Sequence, residues 1–376
     1  MKKIFGLITI CSVLVLPVFA ATPADFGNSG NHPLPATDVH LVKKLPLPPI
    51  VGEVKGNPHG GPPGKNGKGD SKEQAATGIL GGSVSGNKYA IIIGICDYPD
   101  GPYGNYDLCT SDGDSLRMYK ALTTLYGYDP LNIYLFKDMG GTYFEENSTD
   151  TIPTIIAGKP TSKNILDAIS VISTSSTSAD DEILFFFSGH GADGLVNDGD
   201  KERRDEGIVV HDSDAGEFDG NSQIDIIWDG KLKTEFSSFA TNRIVFVFDS
   251  CLAGGMNDLK GTGRVISMGT NETSVSYVYS SDLLDVRQTE MKDVDGDEQL
   301  DGEGVFTRYF VNKGMLQGEA DKYNHNTSEP SDAPETQDPK DVVIEEAFDY
   351  SKEIIPCFWK RQKPTISDEF EDDLLL

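Results

Sequence analysis

Five stretches of the chain are apolar or alternate with period two: KYAIIIGI (88–95), NIYLFK (132–137), EILFFFS (182–188), RIVFVFD (243–249) and SVSYVYSS (274–281). Their length and the Gly, Asp and Ser residues around them predict strands, most of them buried on both faces. Between and after them, SDGDSLRMYKALTTLYG, SKNILDAISVIS, WDGKLKTEFSSFA, GVFTRYFVNKG and DVVIEEAFDYSKEII carry helical spacing. The first of these helices opens near Ser111 or Asp112 and stops at Gly127. Strand alternating with helix predicts an α/β fold, a mainly parallel sheet covered on both faces. Residues 21–87 break this pattern. They are rich in Gly, Pro, Asn and Lys, offer little to pack, and read as a pro-segment or linker. The ordered domain is expected over 88–376, interrupted by an acidic loop at 293–304 and a polar loop at 317–341.

Two of the strands end in reactive side chains. EILFFF runs into Ser188-Gly189-His190-Gly191, and RIVFVFD into Ser250-Cys251-Leu252-Ala253-Gly254-Gly255. In open parallel sheets, sites form beyond the carboxyl ends of the strands. A free cysteine, with a pKa of ~8.5, is mostly protonated at neutral pH, and the thiolate is the nucleophile. An imidazole at hand removes that proton and later returns one to a leaving amine, typically worth ~10²–10⁴-fold. Glycines beside both side chains let backbone N–H groups approach a substrate carbonyl. Acyl transfer from a peptide bond needs these parts. His211, in IVVHDSD, is a rival base without flanking glycine; Ser188 is a rival nucleophile without the glycine that an elbow needs two residues earlier.

FFFSGHG followed by VFDSC-x-AGG resembles the caspase-like cysteine peptidases, and most closely the metacaspases, over residues 88 to about 310, with a weaker echo at QKPTIS. The resemblance implies a three-layer sandwich around a six-stranded, mostly parallel sheet. It implies Cys251 as nucleophile, His190 as base, and the Gly191 and Cys251 amides as oxyanion donors. Leu252-Ala253 departs from the His-Ser that many metacaspases carry there. Metacaspases cut after Arg or Lys. By the same resemblance, Asp112 (of Cys109-x-x-Asp112) and Asp249 supply pocket carboxylates, with Ser188 and Cys109 lining the pocket. Asp112 also suits a helix N-cap, and Arg117 is the candidate if the pocket is of the acid-binding caspase type. The family's calcium site maps onto Asp205, Asp225, Asp229 and Asp258.

A second calcium candidate stands on the residues themselves. DVDGDEQLDGEG places Asp293, Asp295, Asp297 and Asp301 at the first, third, fifth and ninth positions of a calcium loop. Glu298 and Gly304 stand where that loop wants Gly and Glu, so the match is broken. The net charge of −28 argues against nucleic-acid binding and suits an exported protein that stays soluble or one that holds calcium; the partners the resemblance implies are peptide or protein substrates with basic residues. The chain opens with Lys2-Lys3, an apolar run and Val18-Phe19-Ala20, a signal peptide expected to end at Ala20; no later run is long enough to span a membrane. A secreted or periplasmic protein is therefore expected. Of Cys96, Cys109, Cys251 and Cys357, at least one is expected to stay free for chemistry. The reading is an exported, calcium-assisted, self-processing cysteine endopeptidase cutting after Arg or Lys. The alternatives are a catalytically silent calcium- or partner-binding module and a legumain- or gingipain-like peptidase of other specificity. Oligomeric state is not legible.

Overall fold

The computed structural model describes residues 37–46, 75–96, 98, 108, 110–137, 156–196, 204–211, 224–279, 303–321, 339–358 and 362–376. Among these the apolar runs do become strands, and each feeds both faces of a sheet because alternate side chains point to opposite sides. In chain order the strands are β1 (Thr37–Val42), β2 (Leu45–Pro46), β3 (Lys88–Gly94), β4 (Ile133–Lys137), β5 (Ile156–Gly158), β6 (Glu182–Ser188), β7 (Gly191–Leu195), β8 (Asp205–His211), β9 (Ile224–Trp228), β10 (Ile244–Asp249), β11 (Arg264–Met268), β12 (Tyr277–Tyr279), β13 (Glu303–Gly304) and β14 (Thr365–Asp368). The helices are α1 (Thr110–Thr124), α2 (Ser162–Ser175), α3 (Asp229–Phe236), α4 (Val305–Thr307), which continues in wider turns over Arg308–Leu316, and α5 (Ile344–Phe358).

The main sheet runs β14-β11-β10-β6-β3-β4-β5, seven strands where six were expected. Every pairing in it is parallel except that of the edge strand β14 with β11. On β6, Leu184 and Phe186 enter one core with α1 residues Met118, Ala121 and Leu122, and with Phe306, Phe310 and Phe348. Ile183, Phe185 and Phe187 enter the other, with Ile165 and Ile169 of α2 and Phe236 of α3. Phe236 meets Phe185 and Phe246 edge-on, at 5.6 and 4.8 Å between ring centres. Burial of this kind contributes roughly 1.5–3 kcal/mol per large apolar side chain, so the three layers hold one another.

Two smaller sheets flank the carboxyl ends of these strands. One is antiparallel, in the order β1-β7-β8-β9; the other joins β13, β12 and β2. Residues 37–46 thus depart from the expectation of a segment that cannot pack. β1 pairs antiparallel with β7, and β2 pairs parallel with β12. An unpaired strand edge offers a row of backbone donors and acceptors, and such an edge can order a segment that has little apolar content of its own.

The opposite end of the main sheet is clasped by the last residues of the chain. Arg243, just before β10, donates to Glu182 Oε2 (2.6 Å), Gly82 O (2.8 Å) and Leu375 O (2.7 Å). Asp373 accepts from the Thr77 and Gly78 amides, at 2.7 and 2.8 Å, and Asp349 from those of Ala75 and Ala76. Among the described residues no helix is long and apolar enough to cross a membrane.

Candidate active site

Register brings the histidine and the cysteine together. β6 and β10 are neighbours, with Ser188 opposite Asp249. His190 and Cys251 each lie two residues further on and leave the sheet side by side. The Gly189 amide closes the gap by donating to Asp249 O at 3.3 Å. Gly191 has to be glycine here, because a Cβ on it would lie 2.1 Å from the Cys251 carbonyl oxygen. Leu252, immediately after the cysteine, sits in the left-handed region at φ 59°, ψ 17°. A non-glycine residue there carries strain of order 1–3 kcal/mol, and the sharp turn carries Cys251 back toward β7.

His190 is 2% exposed and packs on Tyr98, ring centres 4.5 Å apart. Its amide donates to the Tyr98 hydroxyl at 3.1 Å, and that hydroxyl donates to Val209 O at 3.1 Å. Tyr98 thus fixes the backbone from which the imidazole projects. His211 stacks on the same tyrosine at 6.3 Å. Cys251 is a free thiol, 1% exposed, whereas Cys96 is disulfide-bonded. Burial pushes the Cys251 thiol up to about 12; the Ser276 amide, 3.2 Å from Sγ, and the Lys44 ammonium pull it down, and Asp249 pushes it up. In this arrangement the thiol keeps its proton.

Beside the pair lies a pocket, and a lysine of the chain fills it. Lys44 Nζ stands 2.9 Å from Asp249 Oδ1 and donates to Ser188 Oγ at 3.0 Å, with both charged side chains 0% exposed. Asp249 also accepts from Ser276 Oγ (2.8 Å), Thr307 N (2.9 Å) and Thr307 Oγ1 (2.8 Å). Ser188 Oγ donates in turn to Asp114 Oδ2 at 2.6 Å, and the Gly304 amide donates to the same carboxylate. Gly304 leaves room for both acids: a Cβ there would be 2.0 Å from Asp249 Oδ2 and 2.8 Å from Asp114 Oδ2. Buried charges need partners of this kind, since desolvation otherwise costs several kcal/mol per ion. The backbone amide of Lys44 donates to His190 Nδ1 at 3.2 Å, so a single residue spans the pocket and the imidazole.

Of the residues expected here, His190, Gly191, Cys251, Ser188 and Asp249 converge. Asp112 turns away: its Oδ2 takes the Lys137 ammonium at 2.7 Å. Positions two apart on a helix differ by about 200°, so Asp112 and Asp114 cannot serve the same side. Asp114 is the one that faces β6. A four-residue motif match points to Asp112 because it takes no account of the helical rotation. Arg117 Nε pairs with Glu303 Oε1 at 3.1 Å. Cys109 lies outside the described residues. Lys44, Ser276, Gly304, Thr307 and Tyr98 had no signal in the sequence, because each reaches the site through tertiary pairing.

The expected calcium ligands do not gather. Asp258 Oδ2 pairs with Lys233 Nζ at 3.2 Å, Asp225 Oδ1 accepts from the Ile226 amide, and Asp229 Oδ1 from the Gly230 amide. Asp205 is buried at the start of β8. Among the described residues no three His, Cys, Asp or Glu side chains are placed to share a metal ion. Asp293, Asp295, Asp297 and Asp301 lie outside the described residues.

A free thiol and an imidazole thus stand at adjacent strand ends of an α/β sheet. Residues 88–260, a little under half of the chain, match the family model "Metacaspase, peptidase C14 domain". Among solved structures, the chain is similar to protein GSU0716 from Geobacter sulfurreducens at 12% identity, covering 75% of this chain and 93% of that one, TM-score 0.42. It is similar also to the Drosophila initiator caspase Dronc at 12% identity, covering 90% of this chain and 97% of that one, TM-score 0.41. No curated protein matches the sequence.

Proposed function

We propose that the protein is an endopeptidase that hydrolyses peptide bonds on the carboxyl side of lysine or arginine, with Cys251 as nucleophile and His190 as base. The observation that carries this reading is the buried ammonium of Lys44, held between Asp249 and Ser188 with Asp114 behind them. A pocket of two carboxylates would repel itself without a cation, and it rejects an acidic side chain outright. An arginine guanidinium, as a bidentate donor, suits the same acids.

The chemistry follows from the positions. His190 takes the Cys251 proton, the thiolate attacks the substrate carbonyl carbon, and the Gly191 and Cys251 amides are the donors nearest the developing oxyanion. The tetrahedral intermediate collapses as His190 returns the proton to the leaving amine, leaving an acyl-cysteine. Water, deprotonated by His190, then releases the acid product. Calcium enters no step of this reading. Export, read from residues 1–20, agrees with the disulfide at Cys96, since disulfides persist in oxidising compartments.

Peptides ending in Arg, Lys or Asp before a fluorogenic amide, presented to the full chain, test the specificity. Arg and Lys peptides should be hydrolysed and the Asp peptide left intact, and Cys251→Ala should abolish all turnover while retaining the fold by circular dichroism. Equal turnover of the basic and acidic peptides would overturn the pocket assignment. No turnover of any of them would favour a silent module.

A further inference from the structure

We propose that Gln362, on the segment that leads into β14, is a positioning residue for the cleft: it holds Ser276 against both the Cys251 thiol and the Asp249 carboxylate. The inference rests on the peptidase reading above for its kinetic consequences alone, and adds a residue more than a hundred positions from the cysteine.

Ser276 is buried and faces the site with all its polar groups. Its amide donates to Cys251 Sγ at 3.2 Å, Sγ donates to its carbonyl oxygen at 4.0 Å, and its hydroxyl donates to Asp249 Oδ1 at 2.8 Å. A shift of this one residue would therefore disturb the nucleophile and the pocket acid together. The strand it precedes cannot hold it alone. β12 is three residues long, and its partners β2 and β13 have two each. So short a ladder is marginal without other support.

Gln362 supplies that support. Its side chain is buried, its Oε1 accepts from the Tyr277 amide at 3.1 Å, and its Nε2 donates to Gly269 O at 3.1 Å and to Ser276 Oγ at 3.4 Å. The amide fits only one way round, because a backbone N–H can only donate and a carbonyl can only accept. Both Nε2 protons are then used, and the Ser276 hydroxyl, having accepted one, has its own proton left for Asp249. Gln362, Ser276 and Asp249 form a chain of donors with a single direction, in which each bond strengthens the next. Gly269 ties the same side chain to β10, since its amide donates to Phe248 O, one residue before Asp249, at 2.8 Å. The pairing of β14 with β11, Thr365 opposite Met268, sets how far Gln362 reaches. Thr365 itself donates to Thr270 O at 3.3 Å, and the Thr270 hydroxyl spans the cysteine turn, donating to Ser250 O at 3.0 Å and accepting from the Ala253 amide at 2.9 Å. The last strand of the chain thus braces Cys251 from both sides, and Gln362 is the part of it that reaches the thiol's own hydrogen-bond partner.

Gln362→Met keeps the bulk of the side chain and removes its hydrogen bonds. In the full-length protein, alkylation of Cys251 by iodoacetamide, located by peptide mass spectrometry across a pH series, reads the thiol without any turnover. The Ser276 amide favours the thiolate, whereas Lys44 and Asp249 are the charged groups that act on it. With Ser276 loosened, alkylation at about pH 8 should slow about tenfold, a displacement of the thiol titration upward by roughly one pH unit. For an Arg peptide kcat should fall about tenfold and KM rise roughly threefold or more, since thiol and pocket are both displaced. Ser276→Ala, which loses the hydroxyl and keeps the amide, should raise KM and leave the alkylation profile in place. Should Gln362→Met fold poorly, Gln362→Asn, one methylene shorter, carries the same displacements in smaller measure. A merely structural role would lower the folded fraction and every rate by one factor, with KM and the pH profile unmoved; that result, or profiles identical to wild type, would overturn the proposal. A displaced alkylation profile in chains that cleave no basic peptide would overturn the peptidase reading and leave Gln362 as the holder of the thiol.

Discussion

The Asp114 carboxyl is the residue on which the pocket's charge turns. Burial raises it from the usual carboxylate range to about 7, Asp249 adds to the rise, and Lys44, Ser188 and Arg117 oppose it. A group shifted upward stays protonated until pH passes its folded value, so the pocket gains its second negative charge only near neutrality. KM for lysine and arginine peptides should accordingly fall by roughly tenfold or more between about pH 6 and about pH 8. Asp114→Asn should flatten that fall in KM while leaving the kcat limb set by Cys251 and His190. Steady-state kinetics over this range check it, and an unchanged KM profile in the variant would remove Asp114 from substrate binding. The sequence displayed both acids of SDGDS, but the choice between them depends on which side of α1 faces β6, and this is settled only when the helix docks on the sheet.

At the scale of elements, the long apolar runs were legible because hydrophobic patterning alone makes them strands. The short pieces that build the cleft were not. β1, β2, β7 and β13 are two to six residues long and include Gly, Pro or Asp, residues poorly suited to strands. Their pairing is dictated by the edges they meet. β13 shows what such a piece can do, since it presents Gly304 to both pocket acids. Gly304→Ala should push β13 off Asp249, cost about 1–3 kcal/mol of stability by overpacking, and lower kcat/KM for basic peptides about tenfold. Gly82→Ala, with nothing within 4 Å of the added methyl, is the matched control and should do neither. Urea melts and peptide kinetics on the two variants measure the contrast.

Over the whole molecule, net charge sets the conditions of stability. The chain carries −28 at neutral pH, and among the described residues three buried or half-buried carboxyls are held above their ordinary values: Asp114 to about 7, Asp368 to about 6 by burial, with Asp373 and Glu369 adding to it against the Phe370 amide, and Glu345, pushed well up by burial with Asp368 adding to the rise. Carboxyls with raised folded values stabilise below the unfolded value of about 4, and that contribution is lost as pH rises through the folded values. Self-repulsion grows over the same interval. The urea midpoint of the Cys251→Ala chain should therefore fall from about pH 5 to about pH 7.5; a rising midpoint would mean that ion pairs such as Lys44–Asp249 outweigh these acids.

The clasp around Arg243 bears on how the open end of the main sheet is closed. Ala75 to Gly82 are moored to Asp349, Asp373 and Arg243 at the far rim of the barrel-less sheet, remote from Lys44. One arginine and two aspartates thus stitch three separate stretches of chain at the rim away from the thiol, so that the mouth of the cleft can be remodelled without opening this seam.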